Sequence, residues 1–96
     1  MGMREVIDFL KEKGGFKSDP LLARAAGINP RRLEHAIQRG SQLTASEEVA
    51  LGYAAGINPV HAMRLIETAY DPAREAIWKG FQKLFRAQKL AMGMAS

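Results

Sequence analysis

The sequence predicts an all-α fold of five to six helices, with a longer amphipathic helix at the C-terminal end. Each of the four prolines follows Asp or Asn, which are residues that cap helix N-termini, and Pro suits the first helical turn. The hexapeptide AAGINP occurs at 25–30 and again at 54–59, and its Gly, two residues before Asn, indicates a helix end followed by a helix start. No segment shows the alternating β-branched pattern of a strand.

These signals set the helix boundaries along the chain. The predicted helices cover residues 3–13, 20–26, 30–39, 45–55, 59–69 and 72–92. Glycines close the first and third helices, and the tetrapeptide TASE at 44–47 has the spacing of a capping box at the start of the fourth. Gly52 lies inside the fourth helix, where we expect a neighbouring helix to approach closely.

The chain length sets the domain organisation. With 96 residues, 47 % of them apolar, the chain can bury one modest core. We expect residues 1–71 to form a single domain. Residues 72–92 are predicted to form an amphipathic helix that packs on this core or on a second subunit, and residues 93–96 a disordered tail.

Composition excludes several classes of protein. The chain has no Cys, and neither His has a carboxylate at ligand spacing, so no metal or cofactor is predicted. No nucleophile, base and orienting residue come together, so we do not expect an enzyme. The absence of a long apolar run and of a signal-peptide pattern predicts a cytoplasmic protein. The formal charge of +4 is concentrated in residues 23–40 and 72–96, two zones that could meet phosphate or an acidic surface.

The stretch DPLLARAAGINPRRLEHAIQRG, at 19–40, has the pattern of two helices crossing at a tight turn. Ala23 lies four residues before the turn Gly27, where the two helices come closest. The positions that must be buried are small or apolar: Leu22, Ala23, Ala26, Ile28, Leu33, Ala36 and Ile37. This stretch resembles the helix-turn-helix of small phage and prophage regulators of the Cro and repressor type. The resemblance covers about residues 18–40, and the first, fourth and fifth helices fill the other places of that family's five-helix domain.

The resemblance implies a sequence-specific DNA-binding transcriptional regulator, most simply a homodimeric repressor. It places helix 30–39 in the major groove of double-stranded DNA. The predicted DNA-binding residues are Arg24, Asn29, Arg31, Arg32, His35, Gln38 and Arg39. Among them, bases are approached by Arg31, Arg32, His35 and Gln38, while Arg24 and Arg39 approach phosphates. Glu34, on the same face, opposes binding unless it accepts from a cytosine or holds an arginine.

The second copy of the hexapeptide lacks this basic surface. The residues at the positions equivalent to Arg31, Arg32, Glu34 and Arg39 are Val60, His61, Met63 and Thr68. The fifth helix is therefore largely apolar. We interpret the second copy as a packing element that reuses the same turn.

The predicted sixth helix carries an apolar stripe opposite a row of Lys and Arg residues. The residues expected in a dimer or partner interface are Ile77, Trp78, Phe81, Leu84 and Phe85. Three roles stay open for this helix: a core or dimer contact, a membrane-surface contact, and a contact with another protein. The last gives the alternative function, a small phage-type module that binds and inhibits a host protein through residues 72–92. The membrane role is the least expected of the three.

Overall fold

The computed structural model describes residues 2–80, 83 and 84, and all regular structure in this part of the chain is helical. The prediction of an all-α fold is thus confirmed. The helices are α1 (Met3–Gly14), α2 (Asp19–Ala25), α3 (Pro30–Arg39), α4 (Ala45–Ala55) and α5 (Pro59–Tyr70). Residues 74–80 are also helical, as are 83 and 84, and we call residues 72–84 the C-terminal segment.

The core lies where α1 packs against the other helices. Helix α1 contacts each of α2, α3, α4 and α5, and α4 and α5 form the closest pair. Burial of apolar side chains is the main favourable contribution to such a fold. The buried cluster consists of Met3, Val6, Ile7, Leu10, Leu22, Ala23, Ile28, Leu33, Ala36, Leu43, Leu51, Ala55 and Ile66.

The repeated hexapeptide forms the same turn twice. Gly27 and Gly56 both have φ 72°, a left-handed conformation that costs glycine little. The N–H of Ile28 donates to the carbonyl of Ala23 at 2.8 Å, and the N–H of Ile57 donates to the carbonyl of Gly52 at 3.1 Å. The turns that join α2 to α3 and α4 to α5 therefore have the same conformation, as the sequence predicts.

The helix starts are capped largely as predicted. The side chains of Asn29 and Asn58 accept from backbone N–H groups in the first turns of α3 and α5. Thr44 and Glu47 form the predicted capping box of α4. The cap of α2 differs, because Ser18 accepts from the N–H of Leu21, and Asp19 is already helical.

Asp19 instead joins α2 to α1 through ion pairs. Its carboxylate accepts from both terminal nitrogens of Arg4, at 2.7 and 2.8 Å. The Nζ of Lys11 lies 3.0 Å from the same carboxylate, and Asp8 contacts both cations. Arg4 is the main reason that the pKa of Asp19 falls to about 2. The start of α2 is thereby held against α1.

Gly52 is the point of closest approach between α4 and α5. A Cβ added at this position would lie 2.9 Å from both the Cα of Pro59 and the Cβ of Ala62. The expectation that a neighbouring helix approaches Gly52 is confirmed. Glycine thus lowers the helix propensity of α4 but permits the packing of α5.

Glu48 of α4 is fully buried, and no N–H or O–H group of the described residues donates to its carboxyl oxygens. The carboxylate of Glu67 on α5 lies beside it. Burial first, and then this neighbouring carboxylate, raise the pKa of Glu48 to about 8, against an opposing effect of Arg74. A neutral Glu48 is therefore favoured at this interface.

The C-terminal segment is attached to α5 by polar contacts. Arg64 of α5 pairs with Glu75, and Glu67 pairs with Arg74. The hydroxyl of Thr68 donates to Glu75 at 3.1 Å. The predicted helix begins two residues later than expected, because residues 72 and 73 form a turn.

The apolar stripe of the C-terminal segment is largely uncovered where it is described. Ile77 is 71 % exposed and Leu84 is 61 % exposed. Trp78 is half-buried. The predicted interface residues Phe81 and Phe85, and the predicted tail at 93–96, lie outside the described residues. No helix in the described part of the chain is long and apolar enough to cross a membrane.

Candidate nucleic-acid interface

Helix α3 turns one face to the core and the other to solvent. Leu33 and Ala36 are buried, and Ile37 packs partly buried against the core, which confirms the predicted orientation of the helix. Residues three, four and seven positions apart lie on one side of a helix. The outward side therefore carries the residues that we call the α3 face: Arg31, Glu34, His35, Gln38 and Arg39.

The α3 face borders an open groove beside the start of α2. Arg31, Glu34 and Gln38 line this groove. The rest of the lining comes from the helix starts, with Asp19 and Pro20 of α2 and with Asn29 and Pro30 at the start of α3. Asp19 would place a negative charge in the groove, but its ion pairs with Arg4 and Lys11 offset that charge. With Asp19 paired, the other two charged side chains of the groove are Arg31 and Glu34, which have opposite signs.

Three arginines around this surface are exposed and have no side-chain partner among residues 2–80, 83 and 84. They are Arg24 at the end of α2, and Arg31 and Arg39 on α3. The backbone N–H of Arg31 donates to the Asn29 side chain at 2.9 Å, but its guanidinium is unpaired in the described part of the chain. Each guanidinium has five donors available for a ligand.

Arg32 lies apart from the α3 face. Its Nε and Nη2 donate to the two carboxylate oxygens of Glu47, each at 3.0 Å, and Nη2 also donates to the carbonyl of Gln42 at 2.7 Å. Arg32 is also the main reason that the pKa of Glu47 is lowered. The side chain joins α3 to the start of α4. We therefore do not assign Arg32 to the DNA interface, although the sequence predicts it there. Bidentate pairing of this kind fixes the guanidinium geometry.

The remaining candidates have distinct surroundings. Asn29 is exposed, and its side-chain oxygen serves as the cap of α3. His35 is half-buried, one turn beyond Arg31, and Gln38 is exposed at the end of the same face. The side chains of His35 and Gln38 have no partner among the described residues. The structure therefore brings Arg31, His35 and Gln38 together and gives Asn29 a capping role.

The second helix pair offers no comparable surface. Val60 is 54 % exposed where α3 has Arg31, and Arg64 is paired with Glu75 of the C-terminal segment. A groove lies between α5 and this segment, lined by His61, Arg64, Leu65, Thr68 and Glu75. Since its only arginine is held by an acid, this groove lacks the free cations of the α3 face.

Two sets of ion pairs near the site are not predicted by the sequence. Glu47 was recognised as a capping residue, but its pairing with Arg32 joins residues that are 15 positions apart. The partners of Asp19 are likewise set by the packing of α2 on α1. No local pattern in the sequence indicates either pairing, because both depend on how helices pack.

Within the described part of the chain, no three His, Asp or Glu side chains are grouped as metal ligands. No family model, curated protein or solved structure matches the chain. In the described part of the chain, the α3 face and the adjacent end of α2 expose three arginines without a side-chain partner, namely Arg24, Arg31 and Arg39.

Proposed function

We propose that the protein is a sequence-specific DNA-binding transcriptional regulator, a homodimeric repressor similar to phage and prophage helix-turn-helix proteins. The observation that carries this proposal is the α3 face, where the side chains of Arg31 and Gln38 are exposed and unpaired among the described residues. Arg forms bidentate hydrogen bonds with guanine, and Gln does so with adenine, in the major groove. Helix α3 would therefore read the bases.

The residues around the α3 face support a division between base and phosphate contacts. Arg31, His35 and Gln38 lie along the helix that would enter the groove. Arg24 and Arg39 lie at the ends of α2 and α3, where they would contact the DNA backbone. Phosphate contacts fix the position of a protein on the duplex, and base contacts select the sequence.

Repression by this protein would follow from occupancy of its operator. Two copies would place two α3 helices in successive major grooves, about 34 Å apart. A dimer bound in this way over a promoter would exclude the transcription machinery. The chain would need no small-molecule ligand for this action.

Fluorescence anisotropy with labelled duplexes tests the proposal. The duplexes are the DNA upstream of the protein's own gene and an unrelated sequence, each measured across a salt series. We expect wild type to prefer the native duplex, and Arg31→Ala to lose both affinity and preference. Loss of one phosphate or base contact weakens binding by about 5- to 100-fold.

Two control variants separate this effect from a loss of charge or of folding. Lys13→Ala removes an exposed cation from α1 and should leave DNA binding unchanged. Arg32→Ala breaks the contact with Glu47, so it should lower Tm by a few degrees, whereas Arg31→Ala should not. Equal, weak binding to both duplexes that is indifferent to Arg31 would overturn the proposal.

The exposed C-terminal segment favours one second candidate, an inhibitor that binds an acidic host protein. Ile77 and Leu84 are exposed, and Lys79 and Lys83 on the same segment are exposed as well. Expression of variants in a bacterial host separates the two functions. Arg31→Glu should abolish the phenotype of a regulator, whereas Lys79→Glu with Lys83→Glu should abolish the phenotype of an inhibitor.

A further inference from the structure

Glu34 occupies the middle of the surface that would face DNA. It lies three residues after Arg31 and four before Gln38, and all three side chains line the groove beside α2. With a rise of about 1.5 Å per residue, Glu34 follows Arg31 by about 4.5 Å along α3. That spacing is close to one base-pair step of about 3.4 Å. Glu34 and Arg31 would therefore meet neighbouring base pairs.

The fold makes no use of the Glu34 carboxylate. The side chain is exposed and has no ion pair or hydrogen bond among residues 2–80, 83 and 84. In contrast, five other acids pair with cations within the described part of the chain: Asp8, Asp19, Glu47, Glu67 and Glu75. In particular, Glu34 does not hold Arg31, whose guanidinium is also unpaired in the described part of the chain. One of the two roles considered for Glu34 from the sequence, holding an arginine in place, is therefore absent here.

The chemistry of a carboxylate limits what Glu34 can do in a major groove. Its two oxygens only accept hydrogen bonds, and nearby phosphates repel its charge. Among the base edges, the exocyclic amino group of cytosine is the donor that Glu typically pairs with. A guanine or thymine at that point would present acceptors to the carboxylate, which is unfavourable.

We propose that Glu34 is a specificity-determining residue that selects a cytosine in the operator, beside the base contacted by Arg31. This inference rests on the proposed function and adds a base preference to it. Glu34 lowers the affinity for DNA in general, because it repels phosphates. It restores affinity only where a cytosine amino group is in place. The residue thus increases the difference between the operator and other sequences.

Selection from a randomised duplex library, followed by sequencing, tests this role. Wild type, Glu34→Gln, Glu34→Ala and the control Glu12→Gln are compared. Glu12 is a matched control because it is an exposed, unpaired acid of α1 in the described part of the chain. We expect wild type to enrich cytosine about tenfold at one position. Glu34→Ala should lose this preference, and Glu34→Gln should shift it towards adenine.

A second readout separates base reading from simple charge repulsion. Both Glu34 variants should bind an unrelated duplex severalfold more tightly than wild type, since a negative charge near the phosphates is gone. Tighter non-specific binding together with an unchanged cytosine preference would overturn the inference and leave the proposed function standing. A wild type that enriches no motif would overturn both. A motif altered only in the Glu34 variants, and not in Glu12→Gln, supports the inference.

Discussion

Glu48 is the one acidic or basic residue that is fully buried in the described part of the chain. Its carboxyl group is fully buried beside Glu67, and the charged or titratable groups around it are Glu67, Arg74, Glu47 and Tyr70. Two neighbouring carboxyl groups cannot both ionise at low cost. A protonated Glu48 can donate to Glu67, which in turn binds Arg74 of the C-terminal segment. The proton on Glu48 therefore supports the attachment of this segment.

The stability of the protein should fall with rising pH because of Glu48. The pKa of this carboxyl is about 8 in the folded state and 4.5 as the ordinary value, so unfolding releases a proton between those pH values. The contribution of Glu48 to stability is complete below about pH 4.5 and declines until about pH 8. Glu48→Gln keeps a neutral donor at every pH. We expect this variant to exceed wild type in free energy of unfolding by about 4 kcal/mol at pH 8.

Urea unfolding at pH 5 and pH 8 measures this effect. The difference between Glu48→Gln and wild type should be small at pH 5 and large at pH 8. Comparison with the variant is needed because Asp19 and other paired acids act in the opposite direction at low pH. A difference of the same size at both pH values would contradict the assignment of the proton to Glu48.

Individual residues of the candidate site differ in how far the sequence predicts their positions. The outward positions of Arg31 and Gln38 follow from helix periodicity, which is a local property. The pairing of Arg32 with Glu47 depends on where the loop after α3 places α4, so periodicity does not indicate it. The raised pKa of Glu48 similarly depends on Glu67 of α5 and on burial, neither of which periodicity indicates.

Among the elements, the two AAGINP turns were predictable because each is determined locally. Gly27 and Gly56 end one helix in the left-handed region, and Asn29 and Asn58 cap the next. The start of α2 was less predictable, since both Ser18 and Asp19 are good caps. The carboxylate of Asp19 accepts hydrogen bonds from Arg4 of α1, and Ser18 caps α2 instead. Tertiary contacts decide between two equivalent local signals there.

The packing of α4 on α5 predicts opposite effects for two helical glycines. Gly52→Ala gains helix propensity but places a Cβ 2.9 Å from the backbone of Pro59, which cannot easily move. We expect the variant to lose about 2 kcal/mol in free energy of unfolding. Gly80 is also helical, but no atom of the described residues lies within 4 Å of a Cβ added there. Gly80→Ala should therefore be neutral or slightly stabilising.

Thermal unfolding followed by circular dichroism compares these two variants with wild type. A lower Tm for Gly52→Ala alone is the expected result. An equal rise in Tm for both variants would contradict the predicted clash between a Cβ at position 52 and Pro59. In that case the gap between α4 and α5 would have to widen without cost.

In the whole molecule, the C-terminal segment both contacts α5 through polar groups and exposes apolar side chains. Arg74 and Glu75 make the polar contacts with α5, while Ile77 and Leu84 are largely exposed. Ile77 and Leu84 are seven positions apart, which is the spacing of one face in the amphipathic helix that the sequence predicts. Exposed apolar stripes of this kind are typical of association surfaces. Pairing of two copies through this stripe would give the homodimer that the proposed function uses.

Replacement of both stripe residues should dissociate such a dimer. Light scattering of wild type at micromolar concentration should give twice the chain mass of 10.6 kDa, and Ile77→Gln with Leu84→Gln should give one chain mass. Tyr53→Gln is the matched control, because Tyr53 is 72 % exposed and belongs to α4 rather than to the segment, so this variant should leave the dimer intact. The stripe variant should also lose cooperative binding to DNA with two half-sites while keeping weak binding to one. A wild type that is monomeric at these concentrations would contradict the pairing of two copies. That result would favour a partner protein as the molecule that binds this stripe.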